Sequence, residues 1–375
     1  MLQTSIEAIC RQCKRFYFDL KRFHYKNRGI FENEADRKMR SRPTLEDVAG
    51  MAGVSTATVS RVLNEPERVS AKTRSRVEAA VAHFDYTPHF GGRALASNRT
   101  NTVGAVIPTM ENAIFARGLQ ALQEALAETG VTLVVATSNY DPEREAQQIR
   151  ALLGRGVDGF VLIGEARDPA LYETLERRGV PFVLVWSWRP DCPWPCVGFD
   201  NRAAARAMAQ RVLDLGHRRV AMIAGITRGN DRATARVKGV RDALIARGLG
   251  LDESNLIETP YQLEAGADAA RRLLSATPRP TVIVCGNDVL AAGALMAIRS
   301  LGLNAPDDVS VTGFDDIDLA LILDPPLTTV HVPHRRMGDA AARLLLRLRA
   351  QEDDTASVVF ETGLVERGSL ASVGT

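Results

Sequence analysis

The sequence has 375 residues, a length that suggests two or three domains rather than one. Apolar residues make up 45 % and charged residues 25 %, the balance of an ordinary globular chain, and a net charge of +2 says little as a total. Five cysteines, an odd number in a chain of this size, do not make a disulfide framework, and no apolar run approaches the ~20 residues that span a bilayer. The setting expected is reducing and cytoplasmic, with no membrane partner.

Residues 1–42 differ from everything after them. Basic residues outnumber acidic ones by roughly two to one there, and the aromatics between Phe16 and Phe31 follow no helical or strand period. Two readings stand: a basic arm that adds nucleic-acid affinity, or an extension that is disordered or lies upstream of a true start at Met39.

Residues 43–88 read as three helices. Thr44 is an N-cap with Asp47 three residues on, and Leu45, Val48, Ala49 and Ala52 form one stripe up to a terminating Gly53. Ser55 caps a second helix with Val59, Val62 and Leu63 inward. Ser70 caps a third, with Val77, Val81 and Phe84 inward and Lys72, Arg74 and Arg76 outward. Residues 89–101 form a hinge in which Gly91-Gly92 weakens any helix by roughly 1 kcal/mol per glycine.

From residue 102 apolar, β-branched runs alternate with amphipathic helices. Strands are expected near 103–107, 132–136, 159–163 and 182–185, then near 219–223, 255–258, 281–285 and 309–313. Helices are expected near 116–128, 142–154, 169–178, 202–215, 234–246, 263–274 and 289–301. Two such series mean two doubly wound parallel-sheet lobes, one covering about 102–198 and 330–352, the other about 199–329 and 353–368. A ligand belongs at the carboxyl ends of their strands.

Two helices around a tight glycine turn, in "TLEDVAGMAGVSTATVSRVLN" (44–64), are the helix-turn-helix pattern, whose second helix enters the major groove of duplex DNA. Its outward positions are Thr56, Ala57, Ser60 and Arg61. Arg61 can pair with guanine through two hydrogen bonds, and the methyls of Thr56 and Ala57 can touch thymine. Ser55, Thr58, Ser60 and Asn64 suit phosphate contacts, as does Thr44 at the start of the first helix. An ordinary helical hairpin with a solvated face remains the alternative on this pattern alone.

The same stretch resembles the N-terminal signature of the lactose-repressor (LacI/GalR) family of transcriptional regulators. "YTPHFGGRALAS" is similar to that family's hinge. "RGVDGFVLIG", "GFDNRAAARAMAQRVLDLGHRRVAMIAG", "RVKGVRDAL", "NDVLAAGALMAI", "VSVTGFDDI" and "PPLTTVHVPHRRMGDAAARLLL" are similar to its lobes, in the family's order. The resemblance implies a three-helix DNA-binding domain followed by an α/β periplasmic-binding-protein-like domain. It also implies a homodimer on a pseudopalindromic operator, with repression the expected outcome. It makes Leu95 the residue that wedges into a minor-groove base step once the hinge folds on DNA, and an exposed leucine in a glycine-weakened segment agrees with that role.

The resemblance further implies a small-molecule effector, a sugar, sugar acid or nucleoside-like compound, in the cleft between the lobes. A sugar acid of the gluconate type is the reading preferred. Arg236 matches the cleft arginine, Asp315 a carboxylate that accepts from ligand hydroxyls, and Phe115 and Phe199 the aromatic wall. Trp186 stands where some members carry a polar residue. Asn287 sits at a strand's carboxyl end, with Asp288 expected to cap the following helix. The blander roles are an N-cap for Asp315 and core packing for the phenylalanines.

Other classes fit poorly. The sequence contains no nucleophile elbow, phosphate loop or HExxH pair, so no enzyme is expected. An exported solute-binding protein would not carry a helix-turn-helix. His217, near a helix end, reads as a cap. Cys10 and Cys13 lie far in sequence from Cys192 and Cys196, so a zinc or redox site is set aside and no cofactor is expected.

Overall fold

The computed structural model describes residues 43–87 and 99–373, which belong to two units. In the first, α1 spans Leu45–Ala52. It begins at a reciprocal cap in which the Thr44 hydroxyl accepts from the Asp47 amide at 3.3 Å and Asp47 Oδ2 accepts from the Thr44 amide at 2.9 Å. Gly53 ends the helix at φ +60°, where a Cβ would be strained. α2 (Thr56–Asn64) and α3 (Ala71–Phe84) start from the hydroxyls of Ser55 and Ser70. Val48, Ala52, Val59, Val62, Val77, Ala80 and Tyr86 make the core. Leu63, Val81 and Phe84 pack only partly buried at its edge. Arg76, expected to point outward, donates to the carbonyls of Ala52 and of Gly53 (3.1 Å), placing a cation on the carbonyl end of α1.

The second unit has two lobes. In the first, β1 (Thr102–Ile107), α4 (Ala113–Ala127), β2 (Thr132–Thr137), α5 (Pro142–Gly154), β3 (Phe160–Ile163), α6 (Pro169–Arg177), β4 (Phe182–Val185) and β5 (Cys196–Gly198) follow in order. In the second come α7 (Asn201–Asp214), β6 (Val220–Gly225), α8 (Asp231–Ile245), β7 (Leu256–Thr259), α9 (Leu263–Leu274), β8 (Val282–Cys285), α10 (Asp288–Ser300), β9 (Ser310–Thr312) and α11 (Leu319–Ile322). The chain then runs through β10 (Thr329–His331), α12 (His334–Ala350), β11 (Val358–Val359) and β12 (Gly363–Val365).

All strands within each sheet are parallel, in the orders β11-β5-β4-β3-β1-β2 and β7-β6-β8-β9. Continuous burial of Thr102–Ile107 and Val220–Gly225 matches strands covered on both faces. β10 and β12 form an antiparallel ribbon beside the two sheets.

One lobe boundary needs correction. Residues 353–368 were expected in the second lobe, yet Val358 and Val359 pair with Val197 and Gly198 as the edge of the first lobe's sheet. The physical reason is α12, which packs on α4 and the first sheet and delivers the chain to that edge before it returns. Ser369 then joins the second lobe, where its carbonyl accepts from the Val311 amide at 2.8 Å.

Candidate functional site

On α2, Val59 and Val62 are buried, Ala57, Arg61 and Asn64 are exposed, and Thr56, Thr58 and Ser60 are half-buried. The small side chains at positions 56, 57 and 60 leave the backbone open to close approach beside Arg61. The Arg61 carbonyl accepts from the Glu65 amide at 2.8 Å, but its side chain makes no hydrogen bond or ion pair among the described residues, so its exposed guanidinium is available to an external acceptor. Others are partly committed: Thr58 Oγ1 lies 2.9 Å from Ser55 Oγ, and Asn64 Nδ2 donates to the Ser60 carbonyl at 2.9 Å. Thr44 and Ser55 serve as caps while remaining exposed. Leu95 and residues 88–98 lie outside the described residues.

In the second unit a narrow cavity opens between the lobes. Asn112, Ile114, Phe115, Tyr140 and Trp186 line it from the first lobe; Asn230, Arg232, Arg236, Tyr261, Asn287 and Asp315 line it from the second. Each of them follows the carboxyl end of a parallel strand, where backbone and helix N-termini converge. Asn112, Asn230 and Asn287 cap α4, α8 and α10, accepting from the amides of Ile114, Ala233 and Leu290. Capping uses their carbonyl oxygens and fixes the asparagines at the cavity wall.

Arg236 is the centre of the second lobe's wall. Its Nε donates to Asn201 Oδ1 at 2.9 Å, its Nη1 to the Gly286 carbonyl at 2.6 Å and its Nη2 to Asp315 Oδ1 at 3.4 Å. The guanidinium lies 3.7 Å over the Phe314 ring. Arg232 beside it is 8 % exposed and pairs with Asp231 at 2.8 Å. Asp231 also accepts from the Glu165 amide of the first lobe at 3.0 Å, which ties the lobes at the cavity rim. Gly164 is needed there: at φ +69° any Cβ would overlap Asp231 and Arg232.

The first lobe's wall is rigid. Trp186 sits at φ +62° and donates from Nε1 to His334 Nδ1 at 2.9 Å, so His334 is a neutral ring whose Nε2 donates to the Asp315 carbonyl at 3.2 Å. Burial holds His334 down to about 3, which keeps it neutral. Phe115 meets Trp186 edge-on at 5.7 Å. Burial raises Asp315 to about 6 against the opposing pull of Arg236, and raises Asp288 to about 7, with Asp315 adding to the rise. A carboxylate so poorly solvated, opposite a long 3.4 Å pairing, gains from any hydroxyl or amide donor that a ligand brings.

The structure brings Phe115, Trp186, Arg236, Asn287 and Asp315 to one cavity. Phe199 is a correction: fully buried and stacked on Phe314 at 6.1 Å, it packs beneath the wall as core. Asp288 does not cap α10; Asn287 does, and Asp288 instead accepts from Thr329 Oγ1 at 2.5 Å and the Ile317 amide at 2.8 Å. Asp315 is not an N-cap either, being held at φ +104° with its carboxylate on Arg236. His217 is no cap: its ring bridges Thr281 Oγ1 and the Ala371 carbonyl, both at 2.9 Å.

Sequence reasoning missed Asn112, Ile114, Tyr140, Asn230, Arg232 and Tyr261. Their common signal is position, two to seven residues beyond a strand's carboxyl end, and it is present in the alternation of strands and helices. Tyr140 and Tyr261 face each other from opposite lobes, ring centres 5.8 Å apart, and burial raises both hydroxyls.

Comparison with known proteins agrees with both regions. A family model described as bacterial regulatory proteins, lacI family, matches residues 44–89. A second, described as periplasmic binding proteins and sugar binding domain of LacI family, matches residues 100–365. The HTH-type transcriptional regulator CelR of Thermobifida fusca is 36 % identical over 340 residues, 88 % of this chain and 99 % of that protein. Among solved structures, a CelR–cellobiose complex superposes with TM-score 0.64 at 33 % identity, over 88 % of this chain and 100 % of that one. The lac repressor dimer bound to operator and the anti-inducer ONPF does so with TM-score 0.78 at 27 % identity, over 89 % and 100 %. These relatives are transcriptional regulators, not enzymes.

Proposed function

The chain belongs to the LacI family of bacterial regulatory proteins, and from that premise we propose that it is a cytoplasmic repressor that binds a pseudopalindromic operator as a homodimer under control of a sugar or sugar acid in its cleft. The exposed face of α2 supports the operator reading: Arg61 reads a guanine, Thr56 and Ala57 contact thymine methyls, and Ser55, Thr58, Ser60, Asn64 and Thr44 meet phosphates. Leu95 supplies the minor-groove wedge. A two-fold dimer presents two such helices, which is why the operator is symmetric.

The single observation that carries the effector reading is the buried Arg236–Asp315 pair set among Phe115, Trp186, Tyr140 and Tyr261. Aromatic faces pack on the apolar faces of a pyranose, Asp315 and the asparagines take its hydroxyls, and the second guanidinium, Arg232, favours a carboxylate-bearing sugar. The solved relative with cellobiose bound is consistent with a carbohydrate. A thermal-shift screen of the purified chain against gluconate, galacturonate, glucose, cellobiose and adenosine tests this. A stabilising sugar or sugar acid is expected, since a ligand that binds only the folded state raises Tm. Stabilisation by adenosine alone would overturn the carbohydrate assignment.

A further inference from the structure

All three tryptophans of the chain, Trp186, Trp188 and Trp194, lie in the segment that joins β4 to β5. That segment starts at the cavity wall with Trp186 and re-enters the sheet at Cys196. On the way it folds back so that Cys192 Sγ lies 3.1 Å from Cys196 Sγ. The Trp194 carbonyl oxygen lies 3.6 Å from Cys192 Sγ and 3.2 Å from Cys196 Sγ, within reach of either thiol, and the Trp194 ring stacks on Tyr172 at 3.7 Å. Arg189, in the same segment, forks onto Glu165 at 2.7 Å and 2.9 Å, and the Glu165 amide makes the bond to Asp231 that ties the lobes. A pair of thiols is thus built into the loop that holds one wall of the cleft.

We propose that Cys192 and Cys196 are a redox modification site, closed to an intramolecular disulfide by a small-molecule disulfide and thereby resetting the loop that carries Trp186. The geometry is close to that required: a disulfide needs sulfurs about 2.05 Å apart, so the pair has roughly 1 Å to close. Cys192 sits in irregular backbone and can move, whereas Cys196 is held in β5. Pro193 and Pro195 restrict the turn between them, which keeps the two sulfurs in reach. Access is asymmetric, since Cys192 is part-exposed and Cys196 is 1 % exposed.

That asymmetry assigns the roles. The hydrogen bond from Cys196 lowers the Cys192 thiol to about 7 and leaves Cys196 raised, so Cys192 attacks and Cys196 resolves. The Cys192 thiolate attacks one sulfur of glutathione disulfide, forming a mixed disulfide and expelling one glutathione thiolate. Cys196 then loses its proton and attacks the Cys192 sulfur, and the second glutathione leaves as its thiolate. Two protein thiols are oxidised by two electrons, and one glutathione disulfide is reduced to two glutathiones.

The inference does not rest on the operator or effector reading, and its test uses the full chain. Both thiols fall in one tryptic peptide, residues 179–202, because Pro190 blocks cleavage after Arg189. The protein is equilibrated in buffers of graded glutathione to glutathione-disulfide ratio, quenched in acid, alkylated and digested. As the disulfide form rises, peptide 179–202 should pass from doubly alkylated to unalkylated and lighter by two hydrogens, while buried Cys285 stays alkylated after denaturation. Tryptophan emission should change over the same range, since every indole is in this loop. In Cys196→Ser the same titration should stop at a glutathione adduct on Cys192. Double alkylation at every ratio, a glutathione adduct that never closes in the unaltered chain, or emission that stays constant while the disulfide forms would each overturn the proposal.

Discussion

The reading helix and the cleft are built in opposite ways. α2 is a contiguous segment whose cap, buried face and exposed face repeat every three to four residues, so one short stretch holds all of its chemistry. The cleft draws its walls from the carboxyl ends of several strands, and residues as far apart in sequence as Asn112 and Asp315 meet in it. The reading helix therefore depends on a small core beneath it, and the cleft on charge balance within it. Substitutions in the two regions should fail differently.

The largest effect is expected beneath the reading helix. Val59 is fully buried in the apolar core of the first unit, and Val59→Asp places a carboxylate there at a cost on the order of 5 kcal/mol. Calorimetry should show the first unit's transition lost and the second unit's Tm unchanged; a joint loss would show that the two do not fold independently.

Arg236→Met tests the cleft's charge balance, because it strands Asp315 without its cation. Removing one member of a buried pair costs about 3–5 kcal/mol. The loss should shrink as the pH falls from 8 to 5, because without Arg236 to pull it down the Asp315 carboxyl takes up its proton more readily than in the unaltered chain. The sign follows from its value: at about 6 when folded, against 3.8 as the ordinary value, the folded chain holds more protons across that window. Its contribution to stability therefore falls as pH rises from 3.8 to 6. Urea titrations at pH 5 and pH 8 check both statements.

Arg61→Ala should leave stability unchanged and relax preference at one base per half-site by about 1–3 kcal/mol, measured by competition among duplexes. Phe199→Leu separates core from wall. It should cost about 1 kcal/mol of stability and leave ligand affinity within twofold, measured by calorimetric titration with whichever sugar stabilises the unaltered chain.

The contrast also explains what could be read in advance. Thr44, Asp47, Gly53, Ser55 and Ser70 announce their caps through neighbours three residues away, and the structure has each of them in that role. The long strands and helices were legible for the same reason. β5, β10, β11 and β12 have only two or three residues each, too few for a period, and the lobe boundary near 353–368 went wrong with them. In the cleft, Arg236 and Asp315 were found through their motifs. Tyr140, Tyr261 and Arg232 carry no local signal of their own, because what makes them wall residues is the strand end that precedes them. Phe199 erred in the other direction: one residue past a strand end, it turns inward onto Phe314.

The account's central claim is that the chain reads a symmetric duplex and that cleft occupancy alters its grip. Selection from a random duplex pool by the full-length protein, repeated with the sugar that stabilises it, measures both at once. Enrichment of a two-fold symmetric sequence is predicted, with affinity shifted about 5–150-fold by the sugar, as for sites coupled by 1–3 kcal/mol. A pool with no symmetric preference, or a selected duplex bound equally well with and without the sugar, would contradict it.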